Sequence, residues 1–169
     1  MTRAGLEFEV VLSPAEEIHD PSLPPARLCE GNAVLKASAV ARMHPQATVI
    51  GADTLVFLDA EVFGKPADLE AARAMLRCLS GRVHTVCTGV CVIRPEGEIL
   101  MFHELSEVLF KVLDDAAINA YFTLVNPLDK AGAYGIQEHG EHVVAEIRGN
   151  FDNVMGLPVA RLIQCLGSA

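Results

Sequence analysis

Val83-His84-Thr85-Val86-Cys87-Thr88-Gly89-Val90-Cys91-Val92-Ile93 is an apolar run rich in β-branched residues. The turn Pro95-Glu96-Gly97 follows it, and then a second run from Ile99 to Val112. Branched side chains suit a pleated surface, and Pro with Gly marks a chain reversal. The stretch therefore predicts a long strand pair. Upstream, Ala47 to Leu58 reads as another strand, with Asp59-Ala60 as its hairpin turn. Glu7 to Leu12 reads as a strand, and Ser13 to Pro25 as a loop punctuated by prolines and acids. Downstream, short strands are predicted around Ala133 to Ile136 and His142 to Ile147.

Helices separate these strands. Arg27 to Met43 keeps an apolar face of Leu28, Val34, Leu35, Ala37 and Ala41, and His44-Pro45 stops it. A second helix follows Lys65-Pro66, with Asp68 as its cap and Gly81 beyond its end. Its predicted face is Ala72, Met75, Leu76 and Leu79. Asp114 caps a third helix through Leu124, and a last helix lies near Leu157 to Leu166. Strands joined both by hairpins and by helices predict a single α/β domain over residues 1–169, with a central mixed β-sheet flanked by helices.

Composition narrows the function. The net charge of −9 argues against nucleic-acid binding, which needs a basic footprint. A small phosphorylated ligand stays open, provided a local lysine cluster and a divalent metal offset the like charge. No apolar run is long enough to span a membrane, and the opening residues carry no signal-peptide core. The expected location is therefore cytoplasmic. The five cysteines include no Cys-x-x-Cys pair, so a disulfide framework or zinc knuckle is not expected. Cys87 and Cys91 share one strand face and read as small buried hydrophobes.

Three stretches look unlike packing. Gly51-Ala52-Asp53-Thr54 places a carboxylate inside an apolar strand. Buried without a partner it costs several kcal/mol, so it marks either a site or a solvated bulge, and the two readings weigh evenly. Gly64-Lys65-Pro66 fixes one cation just before a helix N-terminus, a setting that suits an anion. An exposed turn lysine explains it as well. Asp129-Lys130-Ala131-Gly132-Ala133-Tyr134-Gly135-Ile136-Gln137 combines charges, small residues and one amide. Small residues admit a ligand close to the backbone, and an amide can read a base edge. His139-Gly140-Glu141-His142 resembles a metal pair, but it reads as an exposed turn.

Together with Leu79-Ser80-Gly81-Arg82-Val83-His84-Thr85-Val86-Cys87-Thr88-Gly89-Val90 and Asn153-Val154-Met155-Gly156-Leu157-Pro158, these motifs resemble the Maf proteins in order and spacing, from about Phe8 onward. The resemblance implies a hydrolase that cuts a nucleoside triphosphate between its α and β phosphates. It implies a divalent cofactor, Mg²⁺ or Mn²⁺, and a family link to arrest of cell division. Asp53 matches the family's general base, and Glu17 matches the second acid of its Asp-Glu pair. Lys36 and Lys65 match its lysines, while Thr54 and Gln137 match positions tied to substrate choice. Gln137 after Gly135-Ile136 looks like the branch that prefers dTTP and UTP.

On that basis Asp53, Lys65 and Glu17 are the expected catalytic residues. Thr54, Gln137, Lys36 and Lys130 are the expected substrate contacts, and Glu17 with Asp53 the expected metal ligands. A nucleoside triphosphate is the expected partner, with a homodimer left open. The alternative is a nucleotide-binding regulator without catalysis. The family's opening strand and its Ser-x-Ser-Pro-Arg-Arg loop do not occur in this sequence, and Met1 to Gly5 corresponds to the end of the helix that follows them. The expectations are a start that lies upstream and an open sheet edge. Asn126-Pro127 stands where Glu-Pro is usual, and Phe151-Asp152 where two aromatics are common.

Overall fold

A computed structural model describes residues 5–20, 22–59 and 61–167 of the chain. The strand pair predicted from Val83 onward forms as β3 (Val83–Ile93) and β4 (Ile99–Phe110), which run antiparallel in unbroken register from Val83 opposite Leu109 to Ile93 opposite Ile99. Around it lie α1 (Pro25–Met43), β1 (Val49–Leu58), β2 (Glu61–Phe63), α2 (Leu69–Leu79), α3 (Asp115–Leu124), β5 (Val144–Arg148), α4 (Phe151–Val154) and α5 (Val159–Gly167). The strands form one sheet in the order β2-β1-β3-β4-β5.

Every strand pairing among the described residues is antiparallel, where the sequence predicted a mixed sheet. The connection through α2 explains the difference. β2 turns back along β1, α2 returns the chain, and β3 re-enters against β1. β2 and β3 thus run parallel but lie on opposite sides of β1. Ala60 of the expected β1–β2 turn lies outside the described residues, as do Met1 to Ala4. The strands flanking Ala60 pair Leu58 with Glu61.

Two predicted strands do not form. Residues 7–12 pair with no strand among the described residues, and Phe8, Val10 and Leu12 are exposed. An alternating pattern makes a strand only when a neighbour satisfies its backbone. Ala133 to Ile136 fails because Ala131–Ala133 is a 3₁₀ turn in which Gly132 (φ 68°) and Ala133 (φ 63°) take left-handed backbone. The helix ends follow their signals. Asp68 accepts from the Ala71 amide and Asp114 from the Ala117 amide, both at 2.8 Å.

The two faces of the sheet are built differently. On one, α2 and α3 cover Val56, Leu58, Val86, Val108 and Phe110 in the main apolar core. On the other, α1 lies directly on the backbone of β1 and β3. A Cβ at Gly51 would lie 2.4 Å from the carbonyl oxygen of Ala33, and one at Gly89 would lie 2.4 Å from the carbonyl carbon of Cys29. Cys87 and Cys91 are fully buried, as expected. The buried face of α1 is Leu28, Cys29, Asn32, Ala33, Ala37 and Val40, so it is rotated from the predicted one, and Leu35 is exposed. Small residues are needed there because the helix sits so close.

Gly89→Ala must push a helix backbone aside. It is expected to cost roughly 1–3 kcal/mol or more, read from the urea midpoint. His84 gives a second prediction. It is buried beside Phe110, with Nε2 2.8 Å from the Tyr134 hydroxyl and Nδ1 unpartnered. Burial pushes its pKa down to about 4. The unfolded chain takes up that proton near pH 6.5, the folded chain only near 4, so stability falls as pH drops through that window. The total change is on the order of 3 kcal/mol. His84→Gln should show a pH slope shallower by about one proton between pH 6.5 and 4.5 in urea titrations.

Candidate active site

β1 is paired with β2 only over Val56 to Leu58, so its first half has one free side among the described residues. A cleft of about 900 Å³ opens beside it. Its wall contains Glu17, Lys36, Asp53, Thr54, Lys65, Lys130 and Gln137. The structure thus brings all seven residues singled out in the sequence to one cavity, although they come from a loop, α1, β1, the β2–α2 connection and the glycine-rich turn.

Asp53 is the buried member, and it is not left unpaired. It sits opposite Gly89 in the β1–β3 register, on the face covered by α1. Lys36 Nζ donates to Asp53 Oδ1 at 2.6 Å and pairs with Glu17 Oε1 at 2.8 Å. Asn32, one turn earlier on α1, donates from Nδ2 to Asp53 Oδ2 at 3.2 Å. The same amide clasps the entering loop, accepting from the Ile18 nitrogen at 2.7 Å and donating to the Ile18 oxygen at 3.2 Å. That clasp presents Glu17 to the cleft. The hydrogen bond from Lys36 holds the Glu17 carboxyl below its usual range. For Lys36, burial works against the charge, but Asp53 and Glu17 together raise its pKa.

Lys65 and Lys130 face the cleft in different states. Lys65 is exposed and makes no ion pair among the described residues. Its charge acts on Glu17 and Asp129 through space. Lys130 is held by Asp129 at 2.8 Å, Glu138 at 3.1 Å and the Asn126 oxygen at 3.2 Å. Its stem lies over Gly135, where a Cβ would come within 2.7 Å of it. The Gly132 amide donates to the Gly64 oxygen at 3.0 Å, which ties the turn carrying Lys130 to the connection carrying Lys65.

Thr54 projects to the other sheet face. Its hydroxyl lies 2.9 Å from that of Thr88 and 3.4 Å from the Gly156 oxygen. Thr88 donates to the Asn153 oxygen at 3.1 Å, and Asn153 Nδ2 donates to the Val86 oxygen at 3.1 Å and to Ser106 Oγ at 3.0 Å. This network seats the short α4, which the sequence did not reveal as a helix, and brings Gly156 (φ 100°) to the cleft rim. Gln137 is exposed on the facing rim.

The donor set suits a hard divalent cation. Two carboxylates, Glu17 and Asp53, converge on one positive centre, at present the Lys36 ammonium.

A family model described as Maf, Maf-like protein, matches residues 1–169. The chain belongs to the Maf family. Among Maf relatives, a dTTP/UTP pyrophosphatase of Akkermansia muciniphila is 48% identical over 166 residues, covering 98% of this chain and 87% of the relative. One of Bacillus cytotoxicus is 44% identical over 161 residues, covering 95% and 84%. A solved nucleoside-triphosphatase / dITP/XTP pyrophosphatase from Mycobacterium abscessus superposes with a TM-score of 0.45 at 14% identity, covering 98% of this chain and 83% of that one, too distant to place residues.

The sequence reading of this Maf chain missed Asn32. Its signal was present: a polar residue four before Lys36, on a helix face otherwise lined by small apolar side chains. Asn32→Ala removes one donor to Asp53 and releases the loop. It should cost about 1–3 kcal/mol in urea unfolding and speed hydrogen exchange most at the Ile18 amide.

Proposed function

We propose that the chain hydrolyses dTTP and UTP to the nucleoside monophosphate and pyrophosphate. The observation that carries the reading is the Glu17–Lys36–Asp53 cluster, half-sunk at the floor of a cleft whose rim offers a free lysine. Membership of the Maf family and the dTTP/UTP pyrophosphatase names of its relatives support the substrate class.

Charge balance supports a metal. The cleft wall carries three lysines and four carboxylates, Glu17, Asp53, Asp129 and Glu138, so it has no surplus positive charge for a triphosphate. Glu17 and Asp53 would hold Mg²⁺ or Mn²⁺, and the ion supplies the positive charge that the wall lacks.

The residues divide the work by position. Lys36, held between two carboxylates, holds Asp53 in place at the cleft floor. Asp53 orients a water molecule and takes its proton as the water oxygen bonds to the α-phosphorus. The bond from that phosphorus to the α–β bridging oxygen breaks, and pyrophosphate leaves with the electron pair. Lys65 has no ion pair to give up among the described residues, so it meets the charge that develops on the leaving phosphates. Lys130 supports the same wall. Gln137, Thr54 and the Gly156 backbone lie where a base edge can be read, and the Gln137 amide both donates and accepts. No helix among the described residues is long and apolar enough to cross a membrane.

Pyrophosphate release with Mg²⁺ or Mn²⁺ tests this across dTTP, UTP, CTP, GTP and 7-methyl-GTP. dTTP and UTP should lead. Asp53→Asn should lower turnover by roughly 10²-fold or more, because an amide cannot accept the proton. An unchanged Asp53→Asn rate would remove Asp53 from the mechanism. No release from any nucleotide would overturn the proposed activity.

A further inference from the structure

Outside the cleft, the segment that follows Gln137 gathers a second set of donors. Glu141 and His142 lie on a 3₁₀ turn (Gly140–His142) and His139 immediately precedes it, all three exposed, with one ligand atom from each within 4.8 Å of the others. His139 Nδ1 is 3.6 Å from Glu141 Oε1, and His142 Nε2 is 3.8 Å from the same oxygen. The two rings stand 6.0 Å apart. We propose that these three side chains form a surface site for a borderline divalent metal, best Zn²⁺, separate from the nucleotide cleft.

The donor chemistry selects the metal class. Two imidazoles and one carboxylate suit Zn²⁺, whereas Mg²⁺ prefers oxygen ligands. Zinc–nitrogen bonds of about 2.0–2.1 Å in tetrahedral geometry put ligand atoms about 3.3 Å apart. The two carboxylate–imidazole distances are already close to that, and exposed side chains need only small rotations to reach it.

The backbone beneath is fixed in advance. The His142 amide donates to the His139 oxygen at 3.0 Å, and the Val143 amide to the Gly140 oxygen at 3.1 Å. Lys111 Nζ donates to the Glu141 oxygen at 2.5 Å, and the Lys111 amide to the Val143 oxygen at 2.8 Å. Gly140 is buried under Ile136, whose Cδ1 would be 3.0 Å from an added Cβ. Three ligands on a pinned turn, with an open fourth position for water or a substrate group, match the pattern of a site that binds without closing off the ion.

Zn²⁺ competition against a chromophoric chelator, in excess Mg²⁺, tests the site on the full chain. One equivalent should bind. His139→Asn and His142→Asn should each weaken binding roughly tenfold or more, while Glu17→Gln should leave it unchanged. Asn tolerates the left-handed backbone at position 139 (φ 55°), so that variant keeps the turn. Equal Zn²⁺ affinity in the wild type and both histidine variants would overturn the proposal. So would loss of binding only in Glu17→Gln, which would put the ion in the cleft, and so would no binding at all.

Discussion

Helix α1 rests on bare backbone. Gly51 and Gly89 lack the side chains that would hold it away, and a Cβ at either would overlap main-chain atoms of Ala33 or Cys29. That approach puts Asn32 and Lys36 within hydrogen-bonding distance of a carboxylate projecting from β1. A buried Asp without a counter-charge would cost several kcal/mol. Here the ammonium and the amide arrive with the helix, so the packing that closes one sheet face also supplies the partners of Asp53. The same Asn32 fastens Ile18 and so delivers Glu17. One steric allowance thus decides the position of every charge at the cleft floor.

The cleft is electrostatically divided. At the floor, Lys36 is committed to two carboxylates, and at the far wall Lys130 is committed to two others. Lys65 alone among the three lysines carries no ion pair among the described residues. A highly charged ligand entering such a site meets one free cation and several charges whose partners it must replace or join. The divalent ion proposed for Glu17 and Asp53 would resolve that balance.

Much of this could be read from residues alone. The β3–β4 pair, the caps at Asp68 and Asp114, and the burial of Cys87 and Cys91 follow from local chemistry that the tertiary structure does not override. Asp53, Lys65 and the 129–137 turn stood out because each breaks a local pattern. The antiparallel sheet was not legible, since a helix crossover normally implies parallel strands and only the inserted β2 changes which strands become neighbours. Nor was the coil at residues 7–12, whose alternation is that of a strand but which has no strand beside it among the described residues. Asn32 was hidden because its role lies in two partners, Ile18 and Asp53, separated from it by 14 and 21 residues.

The charges gathered under α1 are proposed to cut a nucleoside triphosphate at one bond, between the α and β phosphates. Phosphorus NMR of dTTP turned over by this chain with Mg²⁺ reads that bond directly. Turnover should give dTMP and pyrophosphate in equal amounts, with no dTDP at any time. dTDP with orthophosphate as the first products would contradict it, because the cleft would then be cutting at the γ-phosphate.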